Sequence, residues 1–363
     1  MKFSMNREKL NSIISEYSNI LKENPVKPIL AGLYIGVKNN RIIFKGINTE
    51  IELIRYAECN SEIDGEVLIK PQLLLEYTKL LEGENISFEK RNGYLIVNDA
   101  EFSILDESSY PEVIEISTLI AAKLNSIKFS KLLEKVKFLT ASGSTDMLFN
   151  SIKINLMPDY MELVSTDSYR LVYLKEELNN NLEREILIPT ETAVVIYKIL
   201  KDLDTEVSIS ASDDRLILLW ENAYFSCKLL TLTFPDYKAL FNNFKYDKEF
   251  EFNSSEFNSS LKKVISVTKN STDTKNVAAF NFKGNQLVIS GMSSNAKINQ
   301  KVNMIKKGED LKLGINCKYI KDYVDNVDKN IIIYASNSTS MLKITEENNE
   351  NYMYLVMPVN VRA

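Results

Sequence analysis

The chain repeats itself three times, and this restricts its architecture more than any local pattern does. A lead segment occurs as KFSMNREKL from Lys2, KFSKLLEKV from Lys128 and EFNSSEFNSSL from Glu251, with lead phenylalanines Phe3, Phe129 and Phe252 spaced 126 and 123 residues apart. A β-rich pair of runs around a turn follows in each copy, ISFEKRNGYLIV from Ile86, VSISASDDRLIL from Val207 and IIIYASNSTSMLKI from Ile331. The copies close alike, at Pro111, Pro235 and Pro358. A third of 363 residues is 121, so the spacing predicts three domains, 1–122, 123–246 and 247–363.

Inside each copy the hydrophobic period changes in a fixed order. Leu10, Ile13, Ile14, Tyr17 and Leu21 recur at helical spacing, as do Phe257, Leu261, Val264 and Ile265, so the lead segments read as helices. Hairpins follow around Asn39-Asn40, Pro158-Asp159 and Gly284-Asn285, residue types that suit tight turns. A second helix is predicted from Leu73, Leu74, Tyr77, Leu80 and Leu81, from Val195, Ile196, Ile199 and Leu200, and from Ile320, Tyr323, Val324 and Val327. A second hairpin, turning at Asn92-Gly93 in the first copy, ends the repeat. Two helices over one face of a sheet make an α+β domain.

Composition removes most chemistry. With no histidine, the chain has no Ser/His/Asp triad, Cys/His dyad or HExxH zinc site. Walker A and GxGxxG loops are absent too. Cys59, Cys227 and Cys317 are far apart, which leaves no disulfide framework or CxxC motif and suggests reduced, buried thiols. No apolar run is long enough to span a bilayer, and Met1 to Arg7 lead into an amphipathic pattern without a secretory h-region. A soluble, cytoplasmic protein is expected.

The net charge is -5, against bulk attraction to nucleic acid, yet the lead helices run the other way. Arg7, Lys9 and Lys22 against Glu8 and Glu16 leave +1 on the first. Lys131, Lys135 and Lys137 against Glu134 leave +2 on the second, and Lys262, Lys263 and Lys269 against Glu256 leave +2 on the third. The rest of the chain therefore carries -10. One such helix is an ordinary solvated face. Three in equivalent places of an acidic chain point to a shared basic surface.

The strings KFS at the start, PVKPIL at 25–30, STDSYRL at 165–171, FPDY at 234–237 and YLVMPV at 354–359 occur in order on this triplicated chain. In these the chain resembles, over its whole length, the bacterial β sliding clamps, the processivity subunits of DNA polymerase III. The resemblance implies three tandem DNA-clamp domains, each two helices packed on a β-sheet half-ring, closing a six-domain ring as a head-to-tail homodimer around duplex DNA. Neither catalysis nor a cofactor nor a metal is implied. The DNA-facing residues would be Arg7, Lys131, Lys135, Lys137, Lys262, Lys263 and Lys269, and the dimer interface would join Phe102 and Ile104 to the region of Val267. The family also has a pocket for short motifs of the polymerase alpha subunit, the clamp loader and other partners. Its wall here would be Thr166, Ser168, Tyr169, Arg170 and Leu171, with Pro235 and Leu240, Asn316 and Tyr319, and Leu355, Met357, Pro358 and Val359. Arg170 would orient the peptide through its carbonyls or a carboxylate.

The other copies act as a control. The place of STDSYRL reads GINTEIEL from Gly46 and GMSSNAKI from Gly291, and neither has the Tyr-Arg pair, so that pair suits a site better than a fold requirement. The chain departs from the family pattern at Tyr169, where histidine is common, at Ser168, where glycine is frequent, at Asn24, and in a tail running through Asn360 to Ala363. Two other readings compete: a histidine-free enzyme using Asp167, Arg170 and Asp236, and a tandem-repeat surface protein.

Overall fold

The computed structural model describes the chain apart from residues 113, 114, 117, 140–145, 243, 244, 272–274 and 361–363, so most of the tail and the end of the second lead segment lie outside the described residues. The first repeat runs β1 (Lys2–Asn6), α1 (Arg7–Ser18), β2 (Leu33–Lys38), β3 (Arg41–Ile47), β4 (Ile51–Glu58), β5 (Asn60–Ile63), β6 (Gly65–Ile69), α2 (Pro71–Leu80), β7 (Asn85–Arg91), β8 (Tyr94–Val97) and β9 (Ala100–Ser103). The second runs β10 (Ala122–Asn125), α3 (Ser126–Glu134), β11 (Ser151–Met157), β12 (Tyr160–Thr166), β13 (Arg170–Glu177), β14 (Arg184–Pro189), α4 (Thr190–Leu200), β15 (Glu206–Ala211), β16 (Arg215–Trp220), β17 (Ala223–Lys228) and a short α5 (Lys238–Asn242). The third runs β18 (Lys248–Phe252), α6 (Ser254–Thr268), β19 (Val277–Lys283), β20 (Gln286–Met292), β21 (Lys297–Asn303), β22 (Leu311–Asn316), α7 (Cys317–Val324), β23 (Ile331–Ala335), β24 (Leu342–Glu346) and β25 (Asn349–Val356).

The first and third lead segments are a strand followed by a helix, not a helix throughout, whereas the second starts inside α3, behind its strand β10. An asparagine sets the switch: the side chains of Asn6, Asn125 and Asn253 accept from Lys9 N–H, Ile127 N–H and Glu256 N–H, a cap of about 1 kcal/mol. Counted from these caps, Phe129 matches Leu10 and Phe257, all fully buried in helices, whereas Phe3 and Phe252 lie in strands. The KFS string thus misaligns the second copy by seven residues, Phe3 lying three before its cap and Phe129 four after, because the cap and not the string fixes the register.

The hairpin turns fall where their residues predict. Asn39 and Asn40 both have positive φ, as do Asn92 and Gly93. The second-helix stripe needs correction in the first copy: α2 buries Pro71, Leu74, Leu75 and Thr78, while Leu73 and Leu80 are exposed. With Pro71 opening the helix, the buried face is rotated from the one its leucines suggest.

The chain divides into two compact units, one formed by Met1–Lys131, Leu156–Pro158 and Asn179–Thr231, the other by Leu132–Asn155, Asp159–Leu178 and Leu232–Ala363. The first unit holds a five-stranded sheet ordered β5-β1-β7-β8-β9 and an eight-stranded sheet ordered β10-β15-β16-β17-β4-β3-β2-β6. In the latter, β17 of the second repeat pairs antiparallel with β4 of the first. The second unit holds the run β11-β12-β13-β25-β24-β23-β18 and a four-stranded sheet ordered β21-β20-β19-β22, and there β25 of the third repeat pairs with β13 of the second. Stacked rings fill the space under the sheets, such as Phe3 on Phe88 at 4.6 Å and Phe250 on Phe282 at 4.1 Å. Cys59, Cys227 and Cys317 are buried free thiols, and burial pushes the last two up to about 12. No helix among the described residues is long and apolar enough to cross a membrane.

Candidate functional site

The site grows from one turn in the second unit. Thr166 pairs with Leu171 across the β12–β13 hairpin, and Asp167 to Arg170 make the bend. Asp167 Oδ1 accepts from the N–H groups of Tyr169 and Arg170, both at 3.1 Å, and Thr166 Oγ donates to Arg170 O at 2.8 Å. Ser168 sits between them at φ 72°, in the left-handed region.

Arg170 is folded back under this turn. Its Nε lies 2.8 Å from Asp167 Oδ2 and its Nη1 2.8 Å from Asp322 Oδ2, and Nη1 also donates to Tyr354 OH at 3.3 Å. Its guanidinium lies 4.0 Å from the Tyr319 ring centre. Burial works against the charge, yet Tyr354, Asp167 and Asp322 together hold its pKa above the usual arginine range. The expectation that Arg170 offers donors to a partner is therefore corrected: the side chain is buried and these donors are spent inside the protein.

Three segments complete the surface. The end of β25 follows β13, with Leu171 opposite Leu355, both buried. Beyond it Met357 N–H donates to Tyr169 O at 2.9 Å and Val359 N–H to Gly314 O at 2.8 Å. Tyr169 is 62% exposed and Met357 38%, with Pro358 and Val359 half-buried beside them. Tyr319 comes from α7, which Asn316 caps by accepting from Lys318 N–H. The FPDY segment is moored by Glu162, a buried carboxylate that accepts from Tyr237 OH at 2.8 Å, Tyr173 OH at 3.0 Å and Asn155 Nδ2 at 3.1 Å, with Lys238 Nζ 3.3 Å away. Burial raises the Glu162 pKa, but these donors and the Lys238 charge outweigh it and leave it lowered. Tyr237, Phe241 and Tyr173 pack edge to face there, leaving Pro235 exposed and Leu240 half-buried.

The sequence missed Asp322, Tyr354 and Glu162. Asp322 had a signal, one helical turn after Tyr319, whereas Glu162 is recognisable only once its strand is set beside the FPDY segment. The residues proposed for an enzyme have other occupations: Asp167 and Arg170 neutralise each other, and Asp236 caps the start of α5 through Lys238 N–H.

The basic residues divide. Lys131, Lys262, Lys263 and Lys269 are exposed. Arg7 is tied down, Nη1 donating to Leu81 O at 2.7 Å. Lys135 and Lys137 lie past the end of α3, the first 4.9 Å from the Tyr352 ring centre, the second 3.7 Å from Glu134 with its pKa lowered by burial. Phe102 on β9 is buried against Tyr77, Ile104 follows it half-buried, and Val267 is half-buried on α6.

Three α+β repeats joined through continuous sheets, with an apolar surface at the second seam, define a clamp-type protein. Residues 1–114 match the N-terminal, 123–236 the central and 244–360 the C-terminal domain of the DNA polymerase III beta subunit. The chain is 24% identical to the beta sliding clamp of Buchnera aphidicola over 98% of its length and 99% of that protein, and 22% identical to that of Bacillus subtilis over 99% of each. A crystal structure of the Thermotoga maritima beta subunit superposes with TM-score 0.92 at 20% identity, covering 99% of this chain and 100% of that one. A Pseudomonas aeruginosa clamp bound to griselimycin superposes at 0.90, with 19% identity and the same coverage. The chain belongs to the DNA polymerase III beta subunit family, the bacterial beta sliding clamps, whose function is DNA processivity.

Proposed function

We propose that two copies, each of domains 1–122, 123–246 and 247–363, close head to tail into a ring around duplex DNA in the cytoplasm. The ring is non-catalytic and tethers the polymerase, the clamp loader and other motif-bearing partners through the surface formed by Tyr169, Leu240, Tyr319, Leu355, Met357, Pro358 and Val359. Retention is topological, so a modestly basic lining at Lys131, Lys262, Lys263 and Lys269 suffices against phosphate.

The way the repeats pair with one another carries this reading. The turn before each seam strand closes with the same bond, Asn48 N–H to Ile51 O, Asp167 N–H to Arg170 O and Ser293 N–H to Ala296 O, which makes Ile51, Arg170 and Ala296 equivalent. Ile51 pairs with Cys227, and Arg170 with Val356. Cys227 and Val356 in turn face Leu216 and Leu342, each four residues before its hairpin turns. The same count on the β8–β9 hairpin, which turns after Val97, ends opposite Ile104. Strands β9 and β21 are sheet edges, and such edges favour pairing with another chain. Ala296 of one copy then faces Ile104 of the other, Lys297 faces Ser103, and Ile298 faces Phe102.

At the position matching Lys297 and Ser103, Ser226 Oγ and Glu52 Oε2 are 3.1 Å apart across the first seam. Ser103→Cys with Lys297→Cys in one chain is therefore expected to form two disulfides per ring on mild oxidation, while the native thiols stay buried. Light scattering should give about twice the chain mass of 41.5 kDa, and the oxidised ring should stay on circular DNA and slide off linear DNA. A monomer at micromolar concentration sinks the ring, and a dimer that never cross-links sinks this register. Replacing the four exposed lysines by glutamate should shorten retention at low salt.

A further inference from the structure

Arg170 is the one arginine among the site residues, and its charge is already answered. Asp167 and Asp322 each approach it at 2.8 Å, and Lys318 Nζ lies 3.0 Å from both oxygens of Asp322, so the four side chains sum to no charge. The two carboxylates come from different elements, the turn and α7, while Tyr354 reaches in from β25. The guanidinium thus ties three elements together beneath the bend. What the bend presents outward is the Tyr169 carbonyl, which holds Met357 N–H at 2.9 Å and so sets the two exposed apolar side chains side by side.

We infer that Arg170 is a positioning residue, and that the site reads its partner through apolar side chains and backbone and not through a carboxylate, with Asp322 keeping the arginine from any partner. This rests on the reading of the surface as a peptide site. It implies partners whose affinity is indifferent to acidic groups and weakly dependent on salt, because no unpaired charge is desolvated on binding.

The test is fluorescence anisotropy with Gln-Leu-Asp-Leu-Phe and Gln-Leu-Asn-Leu-Phe, each as C-terminal acid and amide, on the full-length protein. Wild type should bind all four within about twofold, and change by no more than about twofold between low and moderate salt, while replacing the Phe by Ala should weaken binding roughly tenfold. Asp322→Asn, nearly isosteric, should weaken every peptide a few-fold and should also bind acids about threefold better than amides, a preference that a purely structural aspartate would not create. A wild type preferring the acids about fivefold or more overturns the inference, as does an Asp322→Asn protein with no acid preference. Should Asp322→Asn not fold, the wild-type comparison decides alone. If no peptide binds wild type at all, the reading of the surface as a peptide site has failed.

Discussion

Both seams between repeats carry an arginine largely withdrawn from solvent, half-buried Arg55 on β4 and buried Arg170 on β13, but the two are provided for very differently. Arg55 faces Glu16 on α1 with Nε 3.3 Å from Oε2, close enough for an ion pair but misaligned for a hydrogen bond, and lies 5.7 Å from the Trp220 ring centre. Its Nε and Nη1, both Glu16 carboxylate oxygens and Trp220 Nε1 are buried without a hydrogen-bond partner. Arg170 has two aspartates at 2.8 Å, a tyrosine hydroxyl and a ring. A buried ion stabilises a fold only when its partners are complete. The first seam therefore joins two repeats by its strand pairing and tolerates an imperfect pair, while the second, where we propose the peptide site, is held by a complete set of partners.

The largest expected effect separates the two arginines. Arg170→Met would strand Asp167 beneath the turn and leave Asp322 with Lys318 alone, and should cost about 3–5 kcal/mol. Arg55→Met strands only Glu16, which can take up a proton, and should cost roughly 1–2 kcal/mol at pH 6. Urea unfolding followed by circular dichroism measures both, and equal losses would break the contrast.

The second effect is a pH dependence confined to the first seam. Burial, only partly offset by Arg55, raises the Glu16 pKa from 4.5 to about 7. The folded chain then binds this proton more tightly than the unfolded chain does. The resulting stability is fully present below pH 4.5 and is lost as the pH rises to about 7, on the order of 3 kcal/mol at most. Subtracting the pH profile of Glu16→Gln from that of wild type should isolate this slope. Identical profiles would mean that Glu16 titrates alike in the folded and the unfolded chain.

Much of this contrast lay beyond the sequence. Triplication, the Asn-Asn and Asn-Gly turns and the paired helices are local patterns, and reading them sufficed for the order of elements. The lead-segment alignment went wrong because KFS is a string without a physical anchor, whereas the capping asparagines, had they been aligned, place all three helices. Arg170 stood out through its absence from the other repeats, but its role depends on Asp322, 152 residues away, and on Tyr354, 184 away. Such partners are visible only when β13, α7 and β25 are brought together. The same holds for Arg55, whose ring neighbour Trp220 belongs to the next repeat.

The smallest effect concerns the turns that open the two seams. Among the described residues eight non-glycines have positive φ, and six of them are asparagines, which tolerate that region; Ser168 is an exception, at φ 72°. Its equivalent in the first seam, two residues before Ile51, is Thr49, which has no positive φ. A serine there bears roughly 1–2 kcal/mol of strain that glycine would not, while glycine adds chain entropy to the unfolded state. The balance should favour Ser168→Gly by about 0.5–1 kcal/mol, a rise of a few degrees in melting temperature. Thr49→Gly has no strain to relieve and should lose about as much. Because Ser168 directly precedes Tyr169, whose carbonyl holds Met357 N–H, glycine should also let the turn sample other shapes, weakening peptide binding about two- to threefold even as the fold gains. A stabilised variant with unchanged affinity would show that Arg170 alone holds the turn. If Ser168→Gly fails to stabilise the protein, the strain assigned to the second seam is absent.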